Sequence, residues 1–263
     1  MDGSQDYQIS PSSWNSYEEC PRKYWLSRQR LPKKASMAAS LGTAIHNSVE
    51  DLCNLDISDR DAGEVGWLHS TARDVLEGNW KAERDEFMQT PRHPRWKRES
   101  FNKAHEGLVG ALGFLFEKAR LPKAVLSEVS IRAWRQVQEI VLETEATLES
   151  DCGRLMGRLD LLIMDPDRED EAGWIVADLK TGRPPRSELD EKVTRQLLFY
   201  RDLMRQRSPE QKSIIDFQSS FCRIAISTML EVYPTMWRCE ISKRCRPRPF
   251  IVPRRAAKIF GKC

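Results

Sequence analysis

The residues most able to do chemistry are Asp178 and Lys180, which close the run Trp174-Ile175-Val176-Ala177-Asp178-Leu179-Lys180. Side chains alternate along a strand, so this run places Trp174, Val176, Asp178 and Lys180 on one face and the wholly apolar Ile175, Ala177 and Leu179 on the other. One intervening residue sets a carboxylate beside an ammonium. A second alternating run, over residues 155–164, precedes a polar turn over residues 165–173. If the two runs pair antiparallel about Glu169, paired residue numbers sum to 338 and Asp160 lies opposite Asp178. Two carboxylates at one point repel unless something positive lies between them, and hard oxygen donors with room for water suit Mg²⁺. Such an ion acidifies a water and neutralises charge on a phosphate, while Lys180 orients that water or counters the developing negative charge. The chemistry is phosphodiester hydrolysis. Asp190-x-Lys192 and Glu210-x-Lys212 share the spacing but lie in polar segments, with no apolar strand before them and no acid across a hairpin. For Asp178 and Lys180 the plain alternative is a surface ion pair at a strand end.

Composition bounds what can surround such a site. The chain has 263 residues, 40% apolar and 31% charged, which supports a buried core and excludes disordered and collagen-like classes. The longest mostly apolar run, residues 108–116, is far shorter than the roughly 20 residues of a bilayer span. The start, Met1-Asp2-Gly3, lacks a basic-then-apolar leader. A soluble, cytoplasmic protein with no membrane partner is expected. Seven dispersed cysteines are an odd number in a chain large enough to need no staples, so free thiols or metal ligands are expected over a disulfide framework. Net charge is +3, yet residues 238–263 carry nine Lys or Arg against the single acid Glu240, leaving about −5 for the rest. Such a basic stretch attracts phosphate backbones or serves solubility.

The elements that must position the acids change period along the chain. The first half reads helical. Ser12 and Ser13 are expected to cap a first helix, and Pro21 to start a fresh helix or kink the first. After Gly42 a helix carries Leu41, Ile45, Val49 and Leu52 on its apolar stripe, with His46 beside it. Further helices are expected near 67–87 and 101–120, parted by the break between Pro91 and Pro94. Residues 124–133, 139–148, 155–164 and 174–180 read as strands, and 189–204 as a helix bearing Val193, Leu197, Tyr200 and Met204 on one side. Helices, an antiparallel meander and a closing helix imply an α+β fold.

The order of these signals resembles the RecB-like and Cas-type exonuclease branch of the PD-(D/E)XK nuclease superfamily, over roughly residues 9–200. Ser10-Pro11-Ser12-Ser13 with Tyr17 and Cys20-Pro21-Arg22-Lys23-Tyr24 is similar to that branch's opening helix. Gly42-Thr43-Ala44-Ile45-His46 resembles its glycine-to-histidine motif. Glu128 resembles an acid on the first core strand. Gly157-Arg158-Leu159-Asp160 and Val176-Ala177-Asp178-Leu179-Lys180-Thr181-Gly182 resemble the two motifs of acids and lysine, and Gln196 with Tyr200 the Gln-x-x-x-Tyr motif. The resemblance implies a restriction-endonuclease-like core, an antiparallel meander in a mixed sheet flanked by helices, with an N-terminal helical region. It further implies Mg²⁺ or Mn²⁺ held by His46, Asp160, Asp178 and the Leu179 carbonyl, with Lys180 catalytic and Gln196, Tyr200 and Glu128 at the site. Read alone, His46 is as well explained as a structural helix residue, and Gln196 with Tyr200 as helix packing.

Many members of that branch carry an iron-sulfur cluster on one early and three late cysteines. Cys20 fits the early position, and Cys239 and Cys245 reproduce the five-residue gap, but Met236 stands where the remaining ligand belongs, so the pattern is incomplete. Cys222 or Cys263 would have to substitute, zinc is a lesser option, and unligated thiols fit the sequence equally well. Cys53 and Cys152 read as packing residues. The expected organisation is a nuclease domain over 1–207, with a helical insertion near 55–120, and a divergent basic segment over 208–263 in which residues 217–226 supply a further strand. The expected function is metal-dependent DNA cleavage in recombination, repair or defence, with DNA and a helicase or other repair protein as partners. The alternative is an inactive nuclease-fold module that binds DNA in a helicase-nuclease assembly.

Overall fold

The computed structural model describes residues 8–29, 31–32, 34–121, 124–165, 173–181 and 191–207, and the backbone of a strand at 215–221. The chain divides into compact units of residues 1–224 and 225–263, and all described residues belong to the first. Its elements are α1 (Pro11–Glu19), α2 (Pro21–Ser27), α3 (Met37–Cys53), α4 (Trp67–Gln89), α5 (Ser100–Lys118), α6 (Ile131–Ile140), β1 (Val141–Glu149), β2 (Met156–Asp165), β3 (Gly173–Lys180), α7 (Glu191–Arg207) and β4 (Ile215–Phe221). No described helix is long and apolar enough to cross a membrane.

Local chemistry explains the helix starts. Ser10, rather than Ser12 or Ser13, caps α1: its hydroxyl accepts from the Ser13 amide at 3.2 Å, and the Ser13 hydroxyl accepts from the Ser10 amide at 2.8 Å. Pro21 opens α2, and the Cys20 thiol accepts from the Lys23 amide. α3 begins five residues before Gly42 and runs through it. Residues 124–133, expected as a strand, instead form a turn followed by α6. Ser130 caps that helix, and Ile131, Trp134 and Val137 recur every three residues on its buried side.

The four strands lie in the order β1-β2-β3-β4, antiparallel for the first three and parallel between β3 and β4. The α+β fold with a meander in a mixed sheet is therefore present, and β4 carries the sheet beyond residue 207. Leu161 pairs with Ala177 and Ile163 with Ile175, the register that brings Asp160 opposite Asp178. The β1–β2 hairpin turns through Gly153, whose φ of 69° suits glycine.

The sheet separates two apolar cores. Leu161, Ile163, Ile175, Ala177 and Leu179 pack into a core with α3, α4, α5 and α6. Leu148, Leu159, Leu162 and Val176 pack instead with Tyr200, Leu203 and Met204 of α7. Leu159 and Leu161 are two residues apart and on a regular strand would share a face. They lie in opposite cores, so β2 changes phase at Asp160. Cys53 is a buried free thiol within the first of these cores, as expected, whereas Cys152 is disulfide-bonded, correcting its reading as a packing thiol.

α7 approaches β2 over Gly157, where an added Cβ would lie 2.7 Å from Tyr200 Cε1 and 3.4 Å from Leu203 Cδ1. Gly157→Ala is expected to push α7 outward and cost about 1–3 kcal/mol. Gly78→Ala, on α4 with nothing within 4 Å of the new methyl, is expected to stabilise by about 0.5–1 kcal/mol through better helix propensity. Urea midpoints of the two variants check both signs.

Candidate active site

The site forms where β3 ends between the two cores. Asp178 lies on the α7 face and is only 2% exposed. Its Oδ1 accepts a hydrogen bond from Gln196 Nε2 at 2.9 Å. Its Oδ2 is ion-paired with Lys180 Nζ at 2.6 Å. Lys180 Nζ donates to Gln196 Oε1 at 3.1 Å. One neutral amide therefore holds both the acid and the base of the Asp-x-Lys pair. Gln196 Nε2 also donates to the Tyr200 hydroxyl, which donates to the Arg158 carbonyl at 2.6 Å. The four-residue spacing of Gln196 and Tyr200 on α7 sets these two side chains one turn apart.

The other half of the site comes from α3. A Cβ on Gly42 would lie 3.4 Å from Thr181 Oγ1, so the missing side chain lets α3 run close against the end of β3. One turn later His46 Nε2 reaches the Leu179 carbonyl at 3.0 Å, and Nδ1 faces Asp160 Oδ1 at 3.4 Å and Glu145 Oε1 at 3.3 Å. The glycine-to-histidine spacing thus has a mechanical reason. Asp160 Oδ2 accepts from the Leu179 amide at 2.6 Å, which pins the acid of β2 to the strand carrying Asp178.

These neighbours set the charge states. Burial pulls the His46 imidazole down, but its hydrogen bonds to Asp160 and Glu145 outweigh that and raise its pKa to about 10. Both ring nitrogens face oxygen acceptors, as a doubly protonated ring requires. Burial, with Asp160 adding to it, pushes Asp178 up to about 6 against the opposing pull of Lys180 and His46. Burial raises Tyr200 further above its ordinary range, so it stays a neutral donor.

The structure brings together His46, Asp160, Asp178, Leu179, Lys180, Gln196 and Tyr200, which line one cavity of about 360 Å³ or, for Leu179, hydrogen-bond to residues that do. Glu128 does not join them: it is exposed in the turn before α6, outside the sheet, which removes it as an acid of the first strand. Cys20 serves as the N-cap of α2, while Cys239 and Cys245 lie outside the described residues. The acid that β1 supplies is Glu145, which the sequence reading missed. One ligand atom from each of His46, Glu145 and Asp160 lies within 4.8 Å of the others, a group that could hold a metal ion. The β1–β2 register signals this: Thr144 pairs with Leu161 and Ala146 with Leu159, which leaves Glu145 across from Asp160. Two carboxylates and an imidazole, once it gives up a proton, form a donor set suited to a divalent cation, whereas Asp178, paired with Lys180, lies outside that group.

A model of the PD-(D/E)XK nuclease superfamily matches residues 8–243. The chain belongs to that superfamily. No curated protein matches it. PD-(D/E)XK nucleases are metal-dependent hydrolases, and the cavity described above holds two aspartates and a lysine, Asp160, Asp178 and Lys180. A divalent ion, if held by these residues, would supply Lewis-acid stabilisation of phosphate charge. The chain's own part is to fix Lys180 through Asp178 and Gln196, so that its ammonium faces the cavity without reorganising.

The charge of His46 has a consequence for stability. Its pKa rises from 6.5 to about 10 on folding, so its contribution is complete below about pH 6.5 and is lost as pH rises towards 10. Asp178, raised from 3.8 to about 6, has completed its own destabilising ionisation by pH 7. The urea midpoint of the metal-free protein is expected to fall between pH 7 and 10, and the slope to flatten in His46→Gln.

Proposed function

We infer that this chain is a Mg²⁺- or Mn²⁺-dependent deoxyribonuclease of the RecB-like exonuclease type, working on DNA in recombination, repair or defence beside a helicase or another repair protein. The observation that carries the reading is the shared grip on Lys180, whose ammonium is held at once by Asp178 and by the amide of Gln196. An ordinary surface ion pair has no use for a 2%-exposed carboxylate and a third residue that fixes both partners. The placement of His46 against the Leu179 carbonyl supports the same branch, because the glycine-to-histidine and Gln-x-x-x-Tyr motifs close on one cavity. In this reading His46, Asp160, Asp178 and the Leu179 carbonyl hold the ion. Lys180 is the catalytic lysine, and Gln196 and Tyr200 position it. The intact lysine cluster weighs against a module that has lost catalysis. The basic run over residues 238–263 serves as an arm for the phosphate backbone.

The test is cleavage of end-labelled linear DNA and of closed circular DNA by the purified chain, with and without Mg²⁺ or Mn²⁺. Cutting is expected only with metal and to favour free ends. Asp178→Ala and Lys180→Ala are expected to lose at least about 10²-fold in rate while keeping their circular-dichroism spectra. Undiminished cutting by either variant would place the activity elsewhere. Deleting residues 238–263 is expected to weaken DNA binding most at low salt, and a salt titration of fluorescence anisotropy checks it.

A further inference from the structure

Arg158 lines the same cavity as Lys180 and Asp178, and its side chain is 62% exposed. It is fixed at both ends. Its backbone carbonyl accepts from the Tyr200 hydroxyl at 2.6 Å, which ties it to the chain of contacts through Gln196 to Lys180. Its guanidinium is held through Nε alone, 2.7 Å from Glu145 Oε2 and 3.3 Å from the Glu145 carbonyl. Among the described residues no partner engages Nη1 or Nη2. A guanidinium anchored by Nε keeps its two terminal nitrogens for another planar or tetrahedral oxyanion, and in a cavity that already holds an ammonium the fitting ligand is phosphate.

The residue that holds Arg158 is itself set with effort. Glu145 has φ of 48°, a left-handed backbone that a glutamate adopts at a cost of about 1–2 kcal/mol. It occurs where β2 changes phase at Asp160, and its carboxylate is 11% exposed. Glycine would relax that position and could not anchor an arginine. The strain therefore accompanies a carboxylate with two neighbours to serve, His46 on one oxygen and Arg158 on the other.

We propose that Arg158 binds a phosphate of the substrate strand beside the cleaved bond, and that Glu145 is the positioning residue that presents its free amino groups. The inference rests on the nuclease reading above. It names the substrate contact that the motif acids and lysine do not supply.

The experiment uses the full chain and a single-stranded oligonucleotide, with kcat and KM measured at saturating Mg²⁺, and in parallel a strand carrying one uncharged methylphosphonate linkage placed in turn at each position. Arg158→Lys keeps the charge and loses the fork. It and Arg158→Gln are expected to raise KM about 10–100-fold, with kcat changed far less. Mn²⁺ affinity, read by calorimetry without DNA, is expected to stay within about threefold in both. One methylphosphonate position that slows the wild type is expected to bring no further loss in Arg158→Gln, the signature of a direct contact. Glu145→Gln is expected to reproduce the rise in KM. Unchanged KM in Arg158→Gln, or a full methylphosphonate penalty at every position in that variant, overturns the proposal while leaving the nuclease reading in place. A wild-type chain that neither binds nor cuts DNA removes that reading instead.

Discussion

Two carboxylates, Asp160 and Asp178, face one another at the end of a hairpin, and one of them is almost wholly removed from water. Like charges repel more strongly away from water, and burial adds its own penalty. Every other polar choice at the site answers that repulsion. Lys180 lies against one acid, His46 against the other, and Gln196 contributes an amide that donates to a carboxylate and accepts from an ammonium at the same moment. A negatively charged residue in place of Gln196 would keep its grip on the lysine and lose Asp178. Burial, with Asp160 adding to it, raises Asp178, while the carboxylates of Asp160 and Glu145 raise His46.

Much of this was legible in the sequence because the β2–β3 hairpin is over-determined. Both strands show a clean apolar face, the turn between them is polar, and a one-residue slip would bury Asp178 and Lys180 in the helical core, so only one register survives. The α7 pair is legible for a similar reason, since Gln196 and Tyr200 lie one turn apart on a helix whose apolar side is plain. The α3 motif was visible as a spacing, and its meaning emerges only when Gly42 is found against Thr181.

What escaped has physical causes as well. Over residues 124–133 the spacing of Val125, Val129 and Ile131 suggested alternation, whereas Ser130 supplies a cap and Ile131, Trp134 and Val137 a helical stripe that wins once the core is packed. That misreading moved the acid of the first strand to Glu128. Glu145 was harder to see, because nothing about a glutamate announces a left-handed backbone, and β2 gives no compositional sign of its change of phase at Asp160. Its position across from Asp160 follows from the hairpin through Gly153, the same arithmetic that located Asp178.

His46 is delivered by the helical layer on one side of the sheet, whereas Gln196 and Tyr200 arrive from the single helix on the other. The acids lie between, on strands that neither layer alone would hold. Without α7, His46 and Asp160 would keep their contacts with Leu179, but Asp178 and Lys180 would lose the amide that holds them both. Completion of the site is therefore coupled to the packing of both helical layers against the sheet.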